Sequence, residues 1–178
     1  DTKLIITIDC GITDVESVKT ANKLDIDVII TDHHMTGDTV PPAFAIINPK
    51  QKEGAYPEKM LCGSGVAFKL IQALIQKGNF SLPVGWEKWL LDMVGIATLS
   101  DMVPLVGENR VFATYGLKVL RKSPRLGLVM LLKKAKTDQR YLTEDDIGFT
   151  IGPRINAASR MGVPKDAFKL LAATDLDE

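Results

Sequence analysis

Two short β-branched runs, Leu4–Ile8 (LIITI) and Val28–Thr31 (VIIT), each lead straight into an aspartate. Between them lies a stretch with helical spacing, in which Val15, Val18 and Ala21 share one face. Antiparallel neighbours need only a short turn, whereas a helix-length crossover returns the chain parallel to the strand it left. Strands that are apolar throughout, with no polar alternation, are covered on both faces. The pattern therefore predicts an α/β fold with a parallel sheet flanked by helices, and Ala45–Ile47 supplies a third strand. Thr13 and Glu16 have the spacing of a capping box at the start of the first helix. Sheets of this kind bind ligands outside the carboxyl ends of their strands. Asp9 and the Asp32-His33-His34 cluster both fall at that edge.

The second half reads as mainly helical. Val66, Leu70, Ile71 and Leu74 keep the spacing of one face. Trp86, Trp89, Leu90, Met93 and Ala97 do the same, which makes the two tryptophans core anchors. Further helices are predicted over Asn109–Lys122, Leu126–Lys134 and Pro164–Ala173, the last with proline in its first turn. The chain has 178 residues, nearly half of them apolar, and no low-complexity linker, so a single compact unit is expected.

Lys plus Arg equals Asp plus Glu at 22 each, so no overall field draws the protein to nucleic acid, and a polyanion must be met by a local patch. Cys10 and Cys62 lack metal-type spacing and read as reduced thiols of a cytoplasmic protein. No apolar run approaches about 18 residues, which argues against a membrane span. The chain begins at Asp1 and stops at Glu178 inside a helical pattern, so it is expected to be a piece of something longer.

The only two histidines, His33 and His34, are adjacent and follow Asp32. Hard carboxylate oxygen beside imidazole nitrogen suits Mn²⁺, and the carboxylates also suit Mg²⁺. Neighbouring side chains of an extended segment point oppositely, so the two histidines are expected to do different jobs. Asp9, in TIDCG, is either a turn residue or a partner of that cluster. Asp101, in LSDMVPLVGENR, ends a helix read as amphipathic, where a carboxylate meets the negative end of the dipole. It is either a loop aspartate or a cation ligand. Gly63, Ser64 and Gly65 open a helix, a place that favours an anion or permits tight packing. Arg154, Asn156 and Arg160 lie in IGPRINAASRMG, where arginines either fork onto phosphate oxygens or face solvent. The run Lys118–Arg140 is strongly basic, either a solvated face or a nucleic-acid track.

Taken in order, IDCG, TDHH, GSGVAFKL, LSDMVPLVGENR and GPRINAASRMG resemble the DHH phosphoesterase superfamily and, within it, the RecJ-type single-strand-specific exonucleases. The resemblance implies a metal-dependent hydrolase that degrades single-stranded DNA from its 5′ end in recombination and repair. It implies two divalent ions, Mn²⁺ or Mg²⁺, with Asp9 bridging them and His33 and Asp101 as further ligands. His34 matches the histidine expected near the scissile phosphate, with Asp32 orienting the histidines. Arg154 and Arg160 match phosphate contacts near the DNA path, Ser64, Gly65 and Asn156 stand beside them as candidate substrate-binding residues, and Ser159 stands where the family motif has glycine. Residues 1–163 correspond to a DHH domain without its N-terminal strands and aspartate-rich first motif. Residues 164–178 correspond to the start of a connecting helix toward a C-terminal domain. Implied partners are single-stranded DNA and a single-strand-binding protein or helicase, in the bacterial cytoplasm. Two rivals stand beside this reading: a relative that cleaves short oligonucleotides or pyrophosphate, and a non-catalytic scaffold that binds DNA or protein. For residues 1–178 alone, weak single-metal binding and little or no turnover are expected.

Overall fold

The computed structural model describes residues 1–175. The described residues form two compact units rather than the single one that composition suggests. The first is Asp1–Glu87 with Val103–Arg110, and the second is Lys88–Met102 with the chain from Val111 onward.

In the first unit β1 (Leu4–Ile8), β2 (Asp27–Thr31) and β3 (Ala45–Ile47) form a parallel sheet in the order β1-β2-β3. Ile8 pairs with Thr31, and Thr31 with Ile47, so all three carboxyl ends lie level. The central strand carries the burial: Val28 and Ile30 are inaccessible and pack with Val18 and Ala21 of α1 (Val15–Lys23). Each such side chain contributes roughly 1.5–3 kcal/mol. By contrast β1 leaves Leu4, Ile6 and Ile8 exposed. The capping box at Thr13 does not form. Gly11 turns the chain with φ +108°, Asp14 takes the cap position, and Glu16 pairs with Lys19 at 2.8 Å instead of reaching back. A genuine box forms at Thr143 and Asp146.

Helix α2 (Gly63–Lys77) buries its N-terminal half through Val66 and Phe68, while Leu74 at the far end of the predicted face is exposed. A charged network ties α2 to the loop before it and to the first turn of α4 (Gly107–Leu120): Tyr56 Oη donates to Glu108, and Lys69 Nζ donates to Glu108 Oε1 at 2.7 Å. Burial alone would raise the Glu108 pKa, but the Lys69 and Tyr56 donors outweigh it and hold it below 4.5. A depressed carboxylate stabilises the fold above its unfolded pKa, and that contribution is lost as pH falls through the folded value. Glu108→Gln is therefore expected to lower the urea midpoint at pH 7, with the gap to wild type closing by pH 3. A gap independent of pH would contradict this.

In the second unit α3 (Leu91–Ser100) is buried on most of its surface and is not amphipathic. Gly95 and Gly116 bring α3 and α4 into backbone contact, since a Cβ on Gly116 would lie 2.5 Å from the Gly95 Cα. Ile96, Leu120, Leu128, Leu132, Leu142, Ile147 and Ile151 form the core, with α5 (Leu126–Lys134) packed beside it. Trp86 and Trp89 are not core anchors. They sit on a 3₁₀ turn, Trp86–Leu90, and are 40% and 54% exposed. The GPRINAASR segment is helical: α6 (Glu144–Asp146) passes through a π-turn, Ile147–Ile151, into α7 (Gly152–Arg160), followed by α8 (Pro164–Ala172). No helix among the described residues is long and apolar enough to cross a membrane. Neither cysteine is in a disulfide among the described residues; Cys10 is exposed and Cys62 buried.

Candidate metal centre

The level carboxyl ends of β1 and β2 deliver Asp9 and Asp32-His33-His34 to one place. Asp9 adopts a left-handed backbone, φ +65°, and its N–H donates to the Thr31 carbonyl at 2.9 Å. An aspartate tolerates that conformation better than most residues, though at some cost. Two hydroxyls brace the turn: Thr31 Oγ1 donates to the Thr7 carbonyl at 2.7 Å, and Thr7 Oγ1 to the Cys10 carbonyl at 2.8 Å.

Asp32 is inaccessible and acts as a four-fold acceptor. Its Oδ1 takes the backbone N–H of His33 at 2.7 Å, that of His34 at 3.1 Å, and lies 2.7 Å from His34 Nδ1. Its Oδ2 takes the Ile12 N–H at 3.0 Å. Burial pushes its pKa up, yet the donors from Ile12, His34 and His33 prevail and hold it below 3.8. The curl imposed by Oδ1 changes the expected disposition of the histidines. Their rings do not point oppositely but lie side by side, with centroids 4.5 Å apart. They still differ in partner and exposure: His33 is nearly buried with Nε2 3.0 Å from Asp9 Oδ1, whereas the His34 side chain is 60% exposed.

Asp9, His33 and His34 each offer a ligand atom, and the three atoms lie within 4.8 Å of one another. One carboxylate and two imidazoles make a donor set for a divalent first-row ion. The helix that follows shapes the same place. A Cβ on Gly63, the first residue of α2, would lie 2.2 Å from Asp9 Oδ1, so the carboxylate occupies the volume that any other residue would fill. Its negative charge there meets the positive end of α2. Gly63→Ala is expected to displace Asp9 and weaken Mn²⁺ binding by about 10- to 100-fold, the range for residues that orient ligands. A Mn²⁺ isotherm beside a thermal melt checks it, and unchanged affinity in a folded variant would contradict it.

Ser64 and Gly65 sit in the first turn of α2, Ser64 half-buried and Gly65 buried. Asp101 belongs to the second unit, where it follows α3 and its N–H donates to Ala97 at 2.9 Å. In that unit Asn156 and Arg160 line a polar cavity of about 320 Å³ with Ser100, Gly148 and Gly152. Arg154 is exposed and donates to the Thr150 carbonyl, four residues back, at 2.8 Å. In the basic run 118–140 three arginines have partners within the fold: Arg121 binds the Leu142 carbonyl, Arg125 the buried Asp92, and Arg140 pairs at the surface with Asp138. Sequence reasoning passed over Thr7 and Asn48, and it reads Gly63 only as a glycine at a helix start, not as the residue that makes room for Asp9. Asn48 follows β3 at the same carboxyl edge, the signal that singled out Asp9 and Asp32.

A protein-family model described as "DHH family, N-terminal domain" matches residues 1–98. The chain belongs to the DHH family. The single-stranded-DNA-specific exonuclease RecJ of Bacillus subtilis is 45% identical over 172 residues, which is 97% of this chain and 21% of that protein. RecJ of Escherichia coli is 39% identical, over 99% of this chain and 32% of its own length. The chain thus spans between a fifth and a third of these curated relatives. The crystal structure of Thermus thermophilus RecJ in complex with Mn²⁺ superposes with a TM-score of 0.85 at 34% identity, covering 98% of this chain and 26% of that one. The complex of the same protein with Mg²⁺ gives 0.67 at 32% identity, over 98% of this chain and 23% of that one. The parallel sheet with flanking helices and a helical remainder is the architecture expected from the sequence.

Proposed function

We propose that the full-length protein bearing this chain is a metal-dependent exonuclease that hydrolyses phosphodiester bonds of single-stranded DNA from the 5′ end, in recombination and repair. The observation that carries this reading is the Asp9-His33-His34 cluster at the carboxyl edge of the sheet, in a chain 45% identical to a single-stranded-DNA-specific exonuclease. Asp9 and His33 hold the ion, Mn²⁺ or Mg²⁺, and Asp101 is assigned a metal role on its sequence motif alone. When bound, the ion supplies Lewis acidity toward a phosphate oxygen and the attacking water. Asp32 fixes His34 through Nδ1, which leaves Nε2 as the nitrogen to hold or protonate an oxygen of the reacting phosphate.

Ser64, Gly65, Arg154, Asn156 and Arg160 are the proposed substrate contacts. The polar cavity beside Asn156 and Arg160 supports phosphate recognition, which positions a strand without reading its bases. Arg160→Ala is expected to weaken single-strand binding uniformly across sequences and to reduce the slope of log K against log salt by about 1. An unchanged slope would contradict the assignment. Residues 1–163 are proposed as DHH domain and 164–178 as the start of the connection to a further domain, of which α8 (Pro164–Ala172) is the helical part and 176–178 lie outside the described residues. A single-strand-binding protein or helicase is the proposed partner, in the bacterial cytoplasm.

Substrate length and polarity test the reading. An end-labelled strand of about 60 nucleotides should release labelled mononucleotide at once from its 5′ end, with dinucleotides and pyrophosphate poor substrates. Preference for the short substrates would favour an oligonucleotide phosphodiesterase or pyrophosphatase. Tight strand binding with no cleavage of any substrate would favour a scaffold.

A further inference from the structure

The His34 peptide is held from both sides. Its N–H donates to Asp32 Oδ1, and its carbonyl accepts a hydrogen bond from Asn48 Nδ2 at 3.0 Å. Asn48 is buried, the first residue past β3, and Asp32 N–H donates to the Ile47 carbonyl at 3.1 Å, so the two anchors stand on adjacent strands of one sheet. The other end of the Asn48 amide is also used: Oδ1 accepts the Lys50 N–H at 2.8 Å. With a carbonyl on one side and an N–H on the other, only one orientation of the amide satisfies both, since a flip would set oxygen against oxygen. His34 needs such anchors because its ring is mostly exposed and gains little from packing.

We infer that Asn48 is a positioning residue that holds His34 in place for attack on the scissile phosphate. The inference rests on the exonuclease reading above and assigns Asn48 a part in it. Asn48 acts through the His34 peptide and touches neither ion nor substrate. Its loss should therefore slow the chemical step and leave binding alone.

The test uses the full-length protein with Asn48→Ala, Asn48→Asp, His34→Ala and the Asn48→Ala/His34→Ala pair. Asn48→Ala should lower kcat on a 5′-phosphorylated single strand by about 10- to 100-fold, as outer partners of active-site groups do. KM and the Mn²⁺ dissociation constant should stay within about twofold, because no ground-state contact is removed. The double variant should be no slower than His34→Ala, since residues acting as one unit are not additive. Asn48→Asp should be as impaired as Asn48→Ala, because it sets a carboxylate oxygen against the His34 carbonyl. Amide exchange of residues 33–37 should quicken in Asn48→Ala while β1 and β2 are unchanged. Multiplicative losses in the double variant, or a raised KM with kcat intact, would overturn the inference. Should the parent protein show no nuclease activity, the exonuclease reading fails on its own account. Exchange at residues 33–37 still decides the anchor: unchanged exchange overturns it, and faster exchange supports it. If Asn48→Ala does not fold, Asn48→Ser carries the same comparisons.

Discussion

Asp9→Ala in the full-length protein is expected to abolish strand degradation while leaving the fold intact. Its carboxylate is 59% exposed, so truncation opens no cavity, and the left-handed turn loses only a residue suited to it. What goes is the oxygen that faces His33 Nε2, the carboxylate half of the Asp9-His33 pair proposed to hold the ion. Losing a direct ligand should cost more than the roughly 10- to 100-fold typical of the residues that orient ligands. Single-turnover rates under saturating Mn²⁺, beside a melting curve, measure it. Activity within tenfold of wild type would remove Asp9 from the centre.

Asp32→Ala should cost both stability and activity. The variant leaves the buried N–H groups of Ile12 and His33 without their acceptor and frees the His34 ring. Each unsatisfied buried donor costs about 1–3 kcal/mol, and partial access of water to the His34 groups softens their share, so a loss of about 2–4 kcal/mol is expected. Asp32→Asn separates the two effects. Its carbonyl can replace Oδ1 for all three histidine donors, while its NH₂ meets the Ile12 N–H and cannot accept. Urea midpoints should therefore rank wild type above Asn above Ala, with activity following the same order. Equal midpoints for the three proteins would contradict the role of Asp32 as the organiser of the turn.

The strands were legible because apolar β-branched runs joined by a helix-length crossover mark a parallel sheet, although β1 leaves Leu4, Ile6 and Ile8 exposed instead of covered on both faces. The carboxyl-edge rule then found Asp9 and the histidine pair without any geometry. Where the reading failed, local backbone departed from regular period. The tryptophans were aligned with α3 at the spacing of an α-helix, but Trp86–Leu90 is a 3₁₀ turn with three residues per turn, which carries both rings off the packed face. As neighbours in an extended segment His33 and His34 would point oppositely. Two N–H groups converging on one Asp32 oxygen end the strand at Thr31 and swing both rings together. The basic run gave no hint that Arg121 serves the Leu142 carbonyl and Arg125 the buried Asp92, because those partners lie 21 and 33 residues away. In sequence Gly63 is only a glycine at a helix start; the fold shows that its missing side chain makes room for Asp9.

The most direct test of the account measures single-turnover release of the 5′ nucleotide from a 5′-phosphorylated single strand and from the matching blunt duplex, with Mn²⁺ present and after its removal by chelation. The account predicts rapid release from the single strand only, lost on chelation and restored when Mn²⁺ is returned. Release that survives chelation, or that proceeds equally on the duplex, would contradict it.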